Sequence, residues 1–500
     1  MKSTNVKPKY KIGTRGSLLA VTQCTLISDE ISKLTNSNFQ LIKIKTQGDQ
    51  ITDRPLWQLE GKDFFTKELD TALLNNDVDL VVHSYKDLGS DRPIGIKIGA
   101  ITQRNYPHDV LLIKKDKFKN LNSTKTFIVG TSSPRRIVNI QKSLGDYLQI
   151  ENKKIECKTL RGNINTRIEK LIDDQYDAIV LAFAGLERLA SYPSSAVILK
   201  DLLSTLDFMI LPTKDFPPAS SQGALAIEYN ESNEKTILPV LRSVHSKSTE
   251  EEIKRERATF SKYGGGCHLA VGINVKKVGA FYIHNEKGEV DNSPVEKMSL
   301  EGFDYPNLSG LKPYFMFSQY DYLTNYTSLQ TEINPKMNTY ITSSHCFDAI
   351  NGSENSLWTA GNRTMKKLLQ NGYWVCGSTE GFGENEIVNF SQSNFVNLAI
   401  GNAPWVTLTH DNGTSNFSKV IGVYEHKIND EIDLVREKEL LNADIIYWSS
   451  KIQFELYTKK YPELLKKKHA TGLGKTYSAL EAYAPIPCID MNHLKQLIKG

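Results

Sequence analysis

At 500 residues the chain is long enough for several domains, and its 40% apolar content can give each a core. Lys and Arg number 61 against 57 Asp and Glu, a net charge of only +4. No chain-wide field therefore favours a nucleic acid or an anionic membrane, and any anion binding must come from local arginine clusters. Cysteines at 24, 157, 267, 346, 376 and 488 form no C-x-x-C pair, which fits neither a zinc site nor a disulfide framework, so no metal is expected. The segment Met1 to Lys11 is polar and basic, and no run approaches the ~20 apolar residues of a membrane span. The expectation is a soluble cytoplasmic protein in a reducing compartment.

In chain order, a first strand leads into Arg15-Gly16-Ser17 and a helix over 17–34. Apolar or alternating runs at 41–46 and 78–83, with a second helical stretch at 63–76, complete a βαβ rhythm. The rhythm resumes with a strand at 127–129, a helix at 134–143, a strand at 158–160, a helix at 163–173 and a strand at 178–181. Two α/β lobes are predicted, and with them a cleft.

Polar residues follow the strands, where open α/β sheets bind ligands. Thr131-Ser132-Ser133-Pro134-Arg135-Arg136 opens a helix, so N–H groups, hydroxyls and two guanidiniums converge on an anion. Arg161-Gly162-Asn163 with Arg167 repeats the device, Arg15-Gly16-Ser17 precedes both, and Arg188 adds a cation. Each alone reads as a helix cap beside a solvated arginine. Together they predict a ligand with several acidic groups. His83-Ser84-Tyr85-Lys86-Asp87 sets one carboxylate among these cations, either a surface Lys-Asp pair or a charge able to stabilise a developing cation. Farther on, Gly264-Gly265-Gly266 removes side-chain bulk before Cys267, either a tight turn before an inert thiol or an arm that presents one.

These motifs, together with Gly61 to Glu68, Ala184-Gly185-Leu186 and Gln222-Gly223-Ala224-Leu225, resemble porphobilinogen deaminase in order over about residues 8–275. The resemblance implies two periplasmic-binding-protein-like lobes and a small α+β third domain. Domain 1 would span 1–104 with 224–241, domain 2 105–223, and domain 3 246–306. It further implies a dipyrromethane cofactor held by a thioether on Cys267 and extended by four porphobilinogen units to a hexapyrrole, from which water releases hydroxymethylbilane while the cofactor stays on the chain. Cofactor contacts would come from Ser84, Lys86, Asp87, Thr131, Ser132, Ser133, Arg135, Arg136, Arg161 and Gly162. Substrate contacts would come from Arg15, Ser17, Lys62, Phe65, Arg161, Arg167 and Arg188, with Asp87 catalytic. Three positions depart from the family pattern: Ser221 replaces a glycine, Gly89 a proline and His108 an arginine.

Residues 285–312 read as a domain end, with 307–312 a linker, and no strand is evident at 313–325. Beyond it a weak repeat appears. Asn338–Thr342 then Ser343-Ser344, and Asp444–Trp448 then Ser449-Ser450, each precede a helix and a glycine turn, at Gly361 and Gly474, with Thr364 and Thr476 as caps. Gly474-Lys475-Thr476 is no phosphate loop, since His469 stands where that motif needs glycine. Residues 313–500 resemble uroporphyrinogen-III synthase, a two-domain α/β enzyme, through Ile341 to Ser344, Ala360-Gly361, Val423-Tyr424-Glu425, Asp444 to Ser450 and Thr476. That resemblance implies ring closure of the bilane with inversion of ring D, and makes Tyr424 a candidate catalytic residue. The partners expected are small-molecule substrates, with no nucleic acid and no membrane; oligomeric state is left open, a monomer included. Two other readings stand: a deaminase with a catalytically silent C-terminal domain, and a two-lobed anion-binding protein.

Overall fold

The computed structural model describes residues 9–50, 66–89, 91–119, 121, 126–148, 150, 154–266, 269–317, 321–329, 331, 333, 336–350, 356–429 and 433–499. The chain divides into two compact units. The first holds Met1–Val275, Asn285–Glu296 and Gln392–Gly401; the second holds Lys276–His284, Lys297–Ser391 and Asn402–Gly500.

The first unit contains two five-stranded sheets of the same design. In one, strands Asn38–Lys43, Lys9–Thr14 and Leu80–Ser84 run parallel, and Leu225–Asn230 lies antiparallel between Leu80–Ser84 and Ile96–Ile101. In the other, Lys154–Lys158, Thr126–Gly130 and Ala178–Ala182 run parallel, and Asp109–Lys114 lies antiparallel between Ala178–Ala182 and Leu206–Leu211. Each antiparallel strand follows a crossing between the sheets, so residues 102–108 and 212–224 run side by side: Asn105 N–H donates to Gly223 O at 3.1 Å. Strands predicted from fully apolar runs are in place, Ala178–Ala182 among them. The two edge strands lie earlier than the expected 41–46 and 158–160, at Asn38–Lys43 and Lys154–Lys158. Both are half-exposed and mixed in composition, so apolar content marks their ends poorly.

The second unit holds two largely parallel sheets. Pro313–Met316, Ile445–Trp448, Lys468–Gly472 and Ile486–Cys488 form a fully parallel four-stranded sheet. A six-stranded sheet runs Thr324–Ser328, Lys419–Ile428, Trp405–His410, Asn338–Ile341, Leu357–Thr359, Val375–Ser378, with only the first strand antiparallel to its neighbour.

Three expectations need correction. Strands Pro313–Met316 and Thr324–Ser328 occupy the stretch where none was evident; they are four and five residues long, too short for periodicity to reveal. Segment 307–312 is not a free linker: Leu308 is 2% exposed and packs in a core with Ile445, Ala470, Ile486 and Leu494, joined by Leu311. Finally, Gly361 and Gly474 occupy the N-cap positions assigned to Thr364 and Thr476, which fall inside the first helical turn. No helix among the described residues is long and apolar enough to cross a membrane.

Candidate active site

Lys86 and Asp87 sit on a short 3₁₀ turn, Tyr85–Asp87, directly after the buried strand Leu80–Ser84. Asp87 is exposed, and its charge reaches Lys86, Arg167 and Arg188. Burial, aided by the positive charges of Arg136 and Arg135, lowers the Lys86 ammonium to about 8 against the opposing pull of Asp87 and Asp109. Lys86 Nζ donates to Gln222 Oε1 at 3.3 Å. Gln222 Nε2 in turn donates to Pro107 O at 2.6 Å and to Asp109 Oδ1 at 2.9 Å.

Asp109 is the hub that the sequence did not disclose. It is 1% exposed and accepts from Arg135 Nη1 at 2.9 Å, Arg136 Nε at 3.1 Å and Arg136 Nη2 at 2.7 Å. Burial alone would raise its carboxyl, but the two guanidiniums hold it far below the usual carboxylate range. Arg135 also donates to Pro217 O at 2.7 Å and Arg136 to Val180 O at 3.1 Å. Both arginines, predicted as ligand-binding, therefore also pin the crossing segments of the two sheets. Tyr106-Pro107-His108-Asp109 marks only a carboxylate at a strand start, and folding alone brings it to arginines 26 and 27 positions away.

Arg167 and Arg188 come from helices of the second sheet. Ser133 is the N-cap of helix Pro134–Ser143, yet its hydroxyl makes no capping bond. Ser132 Oγ donates to Leu160 O at 2.8 Å, tying two strand ends together, and Thr131 Oγ1 accepts from Ser133 N–H at 3.3 Å. Gly162 has φ +114°, and a Cβ there would meet Thr166 at 3.0 Å. Arg167 Nε donates to Gly162 O at 2.7 Å; burial and the neighbouring Arg136 and Arg161 lower it to about 10. Arg188, buried, donates to Gly223 O at 2.6 Å and is likewise lowered by burial to about 10. On the first sheet Ser17 caps helix Leu18–Thr35 through Ala20 N–H, Arg15 is half-buried before it, and Ser84 Oγ accepts from Gln23 Nε2 at 3.2 Å.

Burial first, and then the neighbouring arginines, lower Arg135 and Arg167, and the Arg135 Nε is sealed from solvent with no partner among the described residues. The lining thus fits a group bearing several carboxylates. The glycine arm fits its attachment: Gly264, Gly265 and Gly266 have φ of +86°, +63° and +99°, three successive left-handed residues that side chains would strain. Cys267 itself, and Lys62 and Phe65, lie outside the described residues.

Behind the site Glu256, fully buried, accepts from Arg104 at 2.8 Å and 3.2 Å, from Ser221 N–H at 2.7 Å and from Val275 N–H at 2.9 Å. Ser221 has φ +67°, which accounts for glycine as the residue expected there. Asp70, His83 and Glu228 bring potential ligand atoms within 4.8 Å of one another, but Arg92 bonds both carboxylates at 2.5 to 2.8 Å and supplies the cation.

Residues 10–238 match the family model described as porphobilinogen deaminase, dipyromethane cofactor binding domain. A probable porphobilinogen deaminase from Hyperthermus butylicus is 33% identical over 311 residues, 61% of this chain and 95% of the relative. Porphobilinogen deaminases from Maridesulfovibrio salexigens and Streptococcus sanguinis are 40% and 34% identical, over 53% and 60% of this chain and 79% and 92% of their own. A relative 33% identical and covered over 95% of its length shows the kinship, and the chain belongs to the porphobilinogen deaminase family.

Proposed function

We propose that the chain is a bifunctional tetrapyrrole-forming enzyme: a porphobilinogen deaminase that releases ammonia and makes hydroxymethylbilane, joined to a synthase that closes this product to uroporphyrinogen III. Domain 1 takes 1–104 with 224–241, domain 2 105–223, domain 3 246–306, and the synthase 313–500. The dipyrromethane, held on Cys267, would supply the free pyrrole α-carbon that takes the first porphobilinogen, each later unit adding to the ring before it.

The chain's own residues do the rest. Ser84, Lys86, Thr131, Ser132, Ser133, Arg135, Arg136, Arg161 and Gly162 hold cofactor carboxylates; Arg15, Ser17, Arg167 and Arg188, with Lys62 and Phe65, hold those of the incoming substrate. The Asp87 carboxylate lies within electrostatic reach of Lys86, Arg167 and Arg188, where the substrate's pyrrole nitrogen would become positive as ammonia leaves. Its exposure at the end of a buried strand is the observation that supports this role.

For the second activity, the support is the pair of α/β sheets in 313–500 with Tyr424 at the carboxyl side of the six-stranded one. Burial raises the Tyr424 phenol well above its ordinary value, so at neutral pH it keeps the proton that a departing hydroxyl needs. Water leaves and the terminal carbon becomes electrophilic; the substituted carbon of ring D attacks it to give a spiro ring. The bond from that carbon to its old methylene bridge breaks, and the freed methylene rejoins ring D at its unsubstituted α-carbon, which loses a proton and leaves the ring inverted. A Cys267→Ala chain, unable to hold the cofactor, tests this half alone. Given hydroxymethylbilane, it should form mainly the type III isomer; the type I isomer, which the bilane forms unaided, would make 313–500 catalytically silent. The enzyme is proposed to work in the cytoplasm on small molecules only.

A further inference from the structure

Five rings crowd the carboxyl side of the six-stranded sheet. His345 follows strand Asn338–Ile341, His410 ends Trp405–His410, and Tyr424 and His426 share one face of Lys419–Ile428. Tyr326 lies opposite His426 on the antiparallel strand. Tyr326 and His345 stack with centroids 3.9 Å apart, and His410 meets His426 edge to face at 5.1 Å. Tyr424 stands 5.4 Å from His345, 5.6 Å from His426 and 6.1 Å from His410.

This cluster is poorly explained as packing alone. Nδ1 of His410 and Nδ1 of His426 are sealed from solvent and have no hydrogen-bond partner among the described residues. Asp411 Oδ1 stands 3.9 Å from His410 Nδ1, beyond hydrogen-bond reach. Nor are the imidazoles gathered for a metal: among the described residues the only such group within 4.8 Å is Asp70, His83 and Glu228. Burial lowers all three imidazoles below their ordinary value, with His426 and Lys367 adding to the effect at His345, and His410 at His426; Asp321 and Asp411 oppose it at His426, and Asp411 at His410. Uncharged at neutral pH, each ring keeps one acceptor nitrogen. Four of the rings are half-buried and Tyr424 is buried, so a ligand that inserts between them meets aromatic faces and the two Nδ1 atoms now closed to solvent, an arrangement complementary to aromatic rings that each carry one N–H donor.

We propose that His410 and His426 accept hydrogen bonds from pyrrole N–H groups of a linear tetrapyrrole, while Tyr326, His345 and Tyr424 pack against its rings. The proposal rests on the synthase reading above and names the residues by which that half would recognise its substrate.

The test is histidine ¹³Cε1 NMR of the full chain, titrated with a bilane carrying methyl in place of the terminal hydroxymethyl, so that it binds without closing. The signals of His410 and His426, identified by their loss in His410→Phe and His426→Phe, should shift and saturate together. Where type III product forms, these variants should raise KM for hydroxymethylbilane about tenfold with a smaller change in kcat, and Tyr424→Phe should act chiefly on kcat. Unmoved histidine signals at saturating bilane overturn the proposal, whatever the variants do. Shifted signals in a chain that makes only type I product would leave the pocket standing and remove the synthase reading; type III product with unmoved signals would do the reverse.

Discussion

Lys86 and Asp87 are neighbours with opposite assignments, and each can be tested alone. Asp87→Asn keeps the shape of the side chain and loses its charge, so kcat for ammonia release should fall about 10²-fold or more while intact mass still reports bound cofactor. Retention of most of the rate would remove Asp87 from the chemistry. Lys86 is charged below about 8 and neutral above it, so cofactor uptake by the apo chain should weaken as pH rises through about 8. The stability of the apo chain should move the other way. Unfolded, the lysine keeps its proton to about 10.5, so the unfolded state binds more protons between about 8 and 10.5 and stability rises over that window. Lys86→Arg stays charged and should flatten the uptake profile; an unchanged profile would assign the titration to another group. Ser221 holds a left-handed backbone at 0% exposure, with its hydroxyl lacking a partner among the described residues. Ser221→Gly should relieve both at some cost in chain entropy, for a net gain of about 1 kcal/mol, and raise the first thermal midpoint by roughly 2–4 °C. A lowered midpoint would show that the hydroxyl matters more than the backbone.

Among the elements, helix Asn394–Ile400 has the most unusual attachment. Glu187 on helix Phe183–Ala190 accepts from Ser393 Oγ at 2.5 Å, Asn394 N–H at 3.1 Å, Asn394 Nδ2 at 2.9 Å and Phe395 N–H at 3.1 Å, and Phe395 packs edge-on against Phe183 and Phe208. One carboxylate thus caps the short helix and holds it in the first unit. Glu187→Ala should raise amide exchange at Asn394 and Phe395 about 10-fold to 100-fold, as a charged acceptor for backbone N–H groups is lost; unaltered exchange would show that the phenylalanine contacts suffice. Nothing local in Glu187-Arg188 announces this partner more than 200 positions away. The same distinction runs through the fold. Central strands such as Ala178–Ala182 and helices such as Pro134–Ser143 were legible because burial on both faces or a Ser-Pro start leaves a local mark. Edge strands, the buried Leu308 and the carboxylate hubs Asp109 and Glu256 were not, because tertiary partners decide them. The site was legible as a cluster of cations after strands, but not as a network: that Arg135 and Arg136 share Asp109, and that Gln222 links it to Lys86, depends on two crossings brought together only by folding.

On the scale of the whole molecule, the proposed second activity gives the two sheets of residues 313–500 a task that follows the deaminase reaction. Hydroxymethylbilane closes unaided, and only a protein that holds its ends can direct attack to the substituted carbon of ring D. A second active site on the same chain would meet the bilane as it is released. The measurement that tests this most directly is the isomer of uroporphyrinogen formed by the purified full chain supplied with porphobilinogen alone. The account predicts mainly type III, shifted partly toward type I in Tyr424→Phe. Type I product from the intact, folded chain would contradict it.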